Sequence, residues 1–293
     1  MIKKELIQKI KKDFPKLKVS NSKFVTCGFD HLILILDDKY IFRFPRGEKY
    51  KKRIRKEIAF LKIFKKITPI PVPNYSFISK ETNFGGYKLI KGKEFSTSIF
   101  RKLIKEQKVS TSKDISLFLS ALHTFSLEEA KKLGFRRVEW GIKKMGIQFK
   151  KRKNVIFSVL SQKEKKIVLK IYKEFLELPQ FPQKVLTHND LSDDHIFINN
   201  GKIVGIIDFA DASLGDPALD FSWFWNLGKK AINEIYAKYS GPKDTDFLKR
   251  SKYYYIFHFT LGYIYHGIER KDKMLLREGL RNINKIMKAK EDF

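Results

Sequence analysis

The stretch Val185–Phe221, VLTHNDLSDDHIFINNGKIVGIIDFADASLGDPALDF, decides how this chain is read. Two short apolar runs, Ile196–Ile198 and Ile203–Ile207, flank Asn199-Asn200-Gly201. Asn-Gly between such runs predicts a β-hairpin, because both central turn residues must adopt positive φ. A hairpin returns its two outer ends to one edge. One end carries His188, Asn189, Asp190 and His195, and the other carries Asp208. The spacing therefore predicts that two carboxylates and an imidazole meet.

Phosphoryl transfer needs such a grouping. The protein gives the transferred group little covalent help, so positioning and charge neutralisation do most of the work. One carboxylate orients or deprotonates the attacking hydroxyl. Another holds a divalent cation against the phosphate oxygens. Protein kinases place an Asn five residues after the catalytic Asp, and an Asp-Phe-Gly later on. Here His195 follows Asp190 by five positions, and Asp208-Phe209-Ala210 comes after it.

Working outward, residues 1–19 read as a helix. Residues 23–36 read as two strands around a turn at Gly28, and Tyr40–Phe44 as a third strand. Ile54, Ile58 and Leu61 among charges predict an amphipathic helix over 49–66. Pro69, Pro71 and Pro73 exclude a helix and predict an extended link. Strands follow at 75–79 and 86–91. Lys91-Gly92-Lys93 reads as a hinge, after which helical patterning prevails at 96–107, 111–124, 140–176, 218–238, 246–268 and 271–290. The expectation is an α+β chain of two lobes: 1–90 with a small antiparallel sheet, and 91–293 mostly helical.

On HNDLSDDHIF, GIIDFADASLGDPALDF and the C-terminal HGIERKDKMLLREGL, the chain resembles the aminoglycoside phosphotransferases, most of all the 2″-phosphotransferases. Order and spacing hold across most of its length. The resemblance implies a bilobal protein-kinase-like fold that uses GTP or ATP as donor. It makes Asp190 the catalytic carboxylate, and gives His195 and Asp208 to Mg²⁺, with Mn²⁺ admitted by the imidazole. A structural hydrogen bond is the other reading of His195. His188 braces the loop, and Asp216 and Asp220 cap a helix or hold the loop backbone. In the small lobe the resemblance pairs Arg43 with Glu57, Arg replacing the usual Lys. The turn at Gly28 would cover the phosphates. The hinge strand, with Tyr87, Lys88 and Ile90, would meet the purine edge. Bulky Tyr87 points toward GTP. Asp211 is a candidate contact for a substrate amine.

Composition limits the remaining choices. The net charge is +29, from 61 Lys and Arg against 32 Asp and Glu. The basic residues run along the whole chain with apolar residues between them, as on the outer faces of helices, so no specific nucleic-acid partner is expected. The single cysteine, Cys27, excludes an internal disulfide and fits a reducing compartment. No stretch reaches the roughly 18 apolar residues of a membrane span. The expectation is a cytoplasmic monomer. The acceptor side fits the resemblance less well. Phe221–Lys230 lacks an acidic run, and 253–266 is aromatic with no acid before Glu269. That stripe reads as helix packing or as a sugar-stacking wall. Three functions follow: an aminoglycoside phosphotransferase, a same-fold kinase for a less cationic hydroxyl compound, or a non-catalytic basic binding protein.

Overall fold

The computed structural model describes residues 2–25, 30–137 and 141–288. The expected turn at Gly28 lies outside them. The chain opens with α1 (Ile2–Asp13), which ends two residues before Pro15 and not at 19. Strands β1 (Ser22–Val25), β2 (His31–Leu36) and β3 (Tyr40–Pro45) lead into α2 (Glu48–Phe64). β4 (Tyr75–Ile78) and β5 (Gly85–Lys88) complete an antiparallel sheet of order β1-β2-β3-β5-β4.

Side chains alternate across this sheet. Leu34, Leu36, Phe42 and Phe44 pack against Leu6 and Ile10 of α1. Arg43, between Phe42 and Phe44, therefore faces the opposite side, where α2 lies. α2 buries Ile54, Glu57, Ile58 and Leu61 at helical spacing. One period-2 strand and one period-3.6 helix thus bring Arg43 to Glu57.

Two connections join the lobes. The proline link lends the Pro71 carbonyl to the Ile206 amide at 3.0 Å. The hinge passes over the central hairpin so closely that glycine is required. A Cβ on Gly205 would sit 2.7 Å from Ile90, and one on Gly92 would sit 2.7 Å from Val204. The hairpin is β8 (Ile196–Asn199) and β9 (Lys202–Ile206), joined by β6 (Lys93–Glu94). β7 (Val185–Thr187) pairs with β10 (Ser213–Gly215). These three short strands, β6, β7 and β10, were not visible in the sequence pattern.

The helical lobe is more divided than its periodicity suggests. The expected helix 96–107 is α3 (Thr97–Lys102) followed by the start of α4 (Lys105–His123), with Leu103 and Ile104 extended between them. α5 (Leu127–Lys132) falls where no helix was expected. The stretch 140–176 is α6 (Ile142–Phe157) and α7 (Gln162–Glu177). The break is made by Ser161 and Glu164, which form a reciprocal capping box. Residues 218–238 hold 3₁₀ turns up to Leu227, then Gly228 at φ 98°, then α8 (Lys229–Lys238). α9 (Phe247–Tyr255) and α10 (Leu261–Glu269) are separated by one π turn, Ile256–Thr260, and α11 (Lys273–Lys288) packs on α10.

The aromatic stripe is mainly core. Tyr253, Tyr254, Ile256 and Phe257 are buried, and Phe175 stacks on Phe257 at 4.4 Å. Beneath it lies a buried ion network. Arg250 donates to Asp216 at 2.8 Å and to Asp244 at 2.9 Å, and the Tyr254 hydroxyl donates to Asp216 at 3.0 Å. Arg250→Ala should cost about 3–5 kcal/mol in urea unfolding, because it strands the buried Asp216 carboxylate. A loss below about 1 kcal/mol would contradict this account.

Candidate active site

The hairpin turn is built as its sequence requires, with Asn200 at φ 48° and Gly201 at φ 77°. It delivers Asp190 and Asp208 to one edge. Both approaches use positive φ at non-glycine residues, Asn189 at 68° and Asp208 at 65°. Asn and Asp tolerate this region better than other residues, yet it still costs energy and must be held by surroundings.

Asp220 supplies that hold for the first loop. Its carboxylate accepts the amides of His188 at 2.7 Å and Asn189 at 2.8 Å. It also accepts from Nε2 of His123 at 3.0 Å, whose Nδ1 accepts from the Tyr239 hydroxyl at 2.8 Å. The Asn189 side chain donates to the Asp211 carbonyl and the Ser213 hydroxyl and accepts from Thr187. His188 is wholly buried, donates from Nε2 to the Ile207 carbonyl at 3.0 Å, and lies on Phe209. Burial lowers its pKa. It is a brace between the two loops. Asp216 caps the turn at Pro217 through the Ala218 amide at 3.0 Å.

At the edge, His195 donates from Nδ1 to the Asp190 carbonyl at 2.5 Å. Its Nε2 lies 3.9 Å from Asp208 Oδ2 and 3.8 Å from Asp194 Oδ2. Burial opposes charge on this ring, but Asp194, Asp190 and Asp208 outweigh it and raise its pKa. Withdrawal into the cleft pushes the Asp190 carboxyl up to about 7; Asp194, Asp208 and Asp211 add to that against His195. For Asp208, burial acts upward, yet Arg43 and His195 hold it well below the usual carboxylate range.

Arg43 crosses from the small lobe to this edge. Its NH1 donates to Glu57 at 2.7 Å and its NH2 to Asp208 at 2.8 Å. Glu57 is fully buried and also accepts from Tyr75 at 3.1 Å. A second cation, Arg53 of α2, joins Asp30 at 2.6 Å to Asp211 at 2.9 Å. Asp211, a candidate for a substrate amine, is thus occupied by Arg53 here. Tyr87 is buried edge-on to Tyr75 at 5.0 Å, on the side of Arg43 and Glu57. Lys88 is exposed, and Ile90 rests over Gly205 at the lobe joint.

No three His, Cys, Asp or Glu side chains gather into a metal cluster among the described residues. Mg²⁺ does not need three, since it usually takes one or two carboxylates and completes its shell with water and phosphate. His195 Nε2 and Asp208 Oδ2 fit such a pair. Two ligands at about 2.1 Å from one ion can be up to about 4.2 Å apart. The Nδ1 bond to the Asp190 carbonyl orients the ring so that Nε2 faces Asp208.

Glu278 of α11 was missed in the sequence. Burial pushes Asp193 up to about 6, and Asp194 and Glu278 contribute. The same three acids act on Tyr263. Asp193, Asp194 and Glu278 thus share an electrostatic neighbourhood with Tyr263 just after Asp190, in which Glu278 pairs with Arg281 at 3.3 Å. No helix among the described residues is long and apolar enough to cross a membrane.

Residues 27–249 match the phosphotransferase enzyme family, so the chain belongs to it. A 49-residue segment is 43% identical to an Escherichia coli aminoglycoside 3′-phosphotransferase, spanning 17% of this chain and 18% of that protein. The fold is similar to that of APH(2″)-IIIa in complex with GDP and kanamycin, with TM-score 0.82 and 21% identity over 96% of this chain and 97% of that one. APH(2″)-IIa with gentamicin gives 0.67 at 20%, covering 95% of each chain. A macrolide 2′-phosphotransferase from Brachybacterium faecium gives 0.64 at 15%, covering 96% and 97%. The kinase-like bilobal α+β fold is therefore the one expected.

Asp220→Ala removes the acceptor of two loop amides and of His123. It should cost roughly 3 kcal/mol or more in urea unfolding, since buried donors are left unpaired. A variant as stable as wild type would show that Asp220 does not hold the loop.

Proposed function

We propose that this phosphotransferase moves the γ-phosphate of GTP or ATP to a hydroxyl of an aminoglycoside, with Asp190 as the carboxylate that orients and deprotonates the hydroxyl. The observation that carries the reading is the convergence of Asp190, His195, Asp208 and Arg43 at one edge between the lobes. A carboxyl raised to about 7 suits a base working near neutral pH. Residues 1–90 are assigned the nucleotide and 91–293 the acceptor. Arg43 faces the phosphates, the hinge backbone at Lys88 and Ile90 faces the purine, and the bulk of Tyr87 favours GTP. His195 and Asp208 would hold Mg²⁺ or Mn²⁺, which when bound neutralises charge on the phosphate oxygens.

The acids near the loop after Asp190 support a cationic acceptor: Asp194 is exposed there, and Asp193 feels both Asp194 and Glu278. This favours a polycation even on a chain of net charge +29. A second reading, a less cationic hydroxyl acceptor, draws on the loss of Asp211 to Arg53 and on Arg281, which pairs with Glu278 at 3.3 Å.

Transfer from GTP and from ATP to kanamycin and gentamicin, with Mg²⁺, tests the reading. Asp190→Asn should lower turnover about a thousandfold while GDP still binds. Undiminished turnover would remove Asp190 from the mechanism. GDP binding by the wild type without transfer to either antibiotic would favour the less cationic acceptor. His195→Asn should keep transfer but shift the ratio of Mg²⁺- to Mn²⁺-supported rates. An unaltered ratio at every metal concentration would leave His195 a purely structural residue.

A further inference from the structure

Arg43 is held by more than its two carboxylates. Its NH2 also lies 3.3 Å from Nδ1 of His31, and its NH1 lies 3.4 Å from the Tyr75 hydroxyl. Strand register explains the first contact. Ile33 of β2 pairs with Arg43 of β3, and His31 pairs with Pro45. His31 and Arg43 are therefore diagonal neighbours on one face, within reach for long side chains. His31 is only 4% exposed.

A guanidinium offers donors and no acceptor. The Nδ1 that faces it must accept, which puts the ring proton on Nε2. Burial, reinforced by the charge of Arg43, lowers the pKa of His31 to about 3, so the ring remains a neutral acceptor. Nε2 is buried and has no partner among the described residues. The ring thus leaves one nitrogen unpaired while the other stays on Arg43.

The identity of residue 43 gives this contact its meaning. A lysine ammonium is nearly a point charge and needs no fixed plane. A guanidinium is flat, and its fork is useful only when correctly turned. Glu57 anchors NH1, and Asp208 takes NH2 from the helical lobe. His31 holds NH2 from within the small lobe, so this end of the fork keeps an anchor on its own side when the acceptor across the cleft changes.

We propose that His31 is a positioning residue for Arg43, fixing the guanidinium plane so that NH2, here on Asp208, is presented to the nucleotide phosphates. This assignment rests on the donor-site reading above. It predicts that His31 matters because residue 43 is arginine and would matter little beside lysine.

The test is GDP binding by calorimetry on the full chain with Mg²⁺, a readout independent of the acceptor. The variants are His31→Leu, His31→Asn and His31→Gln, with His31→Leu repeated in an Arg43→Lys background. His31→Leu should weaken GDP about tenfold. His31→Asn, whose Oδ1 falls near the place of Nδ1, should stay within about threefold of wild type. In Arg43→Lys, adding His31→Leu should change affinity less than about twofold, since the coupling has been removed. Equal losses for Leu and Asn would overturn the proposal, as would a Leu loss carried undiminished into Arg43→Lys. Should His31→Leu fail to fold by thermal melting, Asn against Gln decides. Gln places its carbonyl nearer Nε2 and should bind more weakly than Asn, and equal binding overturns the assignment. A wild-type chain that binds GDP while ignoring every His31 change defeats the His31 role alone. A wild-type chain that binds no GDP defeats the donor site and this role together.

Discussion

One buried cation, Arg43, is the constraint on which the site depends. A charge removed from water is tolerated only if opposite charges and hydrogen bonds surround it. Its partners come from four places: Glu57 on α2, Tyr75 on β4, His31 on β2, and Asp208 beyond the central hairpin. Satisfying one guanidinium therefore sets the α2 helix against the sheet and the sheet against the helical lobe. Arg53 repeats the device at the rim, tying Asp30 to Asp211. The cleft between the lobes exists in its present shape because these cations need carboxylates from both sides.

Within the helical lobe, carboxylates of one chemical type do three different jobs. Asp216 and Asp220 are almost fully buried and saturated with donors, so they act as scaffold. Asp190 and Asp208 stand at the edge of the cleft, where burial raises the pKa of the first while Arg43 outweighs burial and lowers that of the second. Two carboxylates a few residues from one hairpin thus favour different protonation states. Asp193, Asp194 and Glu278 form a third group, in which Asp194 lies 3.8 Å from His195 Nε2 and Glu278 pairs with Arg281 at 3.3 Å.

Local signals were legible where local physics governs. Asn200-Gly201 marked the hairpin, and the prolines marked the link. The helix boundaries were less legible. The breaks at Leu103–Ile104 and at Ile256–Thr260 carry no proline or glycine, and packing sets them. The break at Ser161 did carry a signal, the Ser-x-x-Glu spacing, which the continuous helical periodicity obscured. Much of the aromatic stripe proved to be core, since helices α9 and α10 are buried on more than one face.

The sequence by itself determined the family and the meeting of two carboxylates and an imidazole. Asp190, His195 and Asp208 flank one short hairpin whose turn residues return its ends to one edge, and Asp220 then holds the first of those ends. Arg43 and Glu57 were readable through the family resemblance, and the strand and helix periodicities of the structure explain why they meet. What only the tertiary structure decided is who else reaches that edge. Glu278 of α11 adds its charge to that of Asp193, Arg53 takes Asp211 from α2, and His31 meets Arg43 through the register of two strands. Such encounters depend on how whole elements pack, and no spacing along the chain encodes that distance.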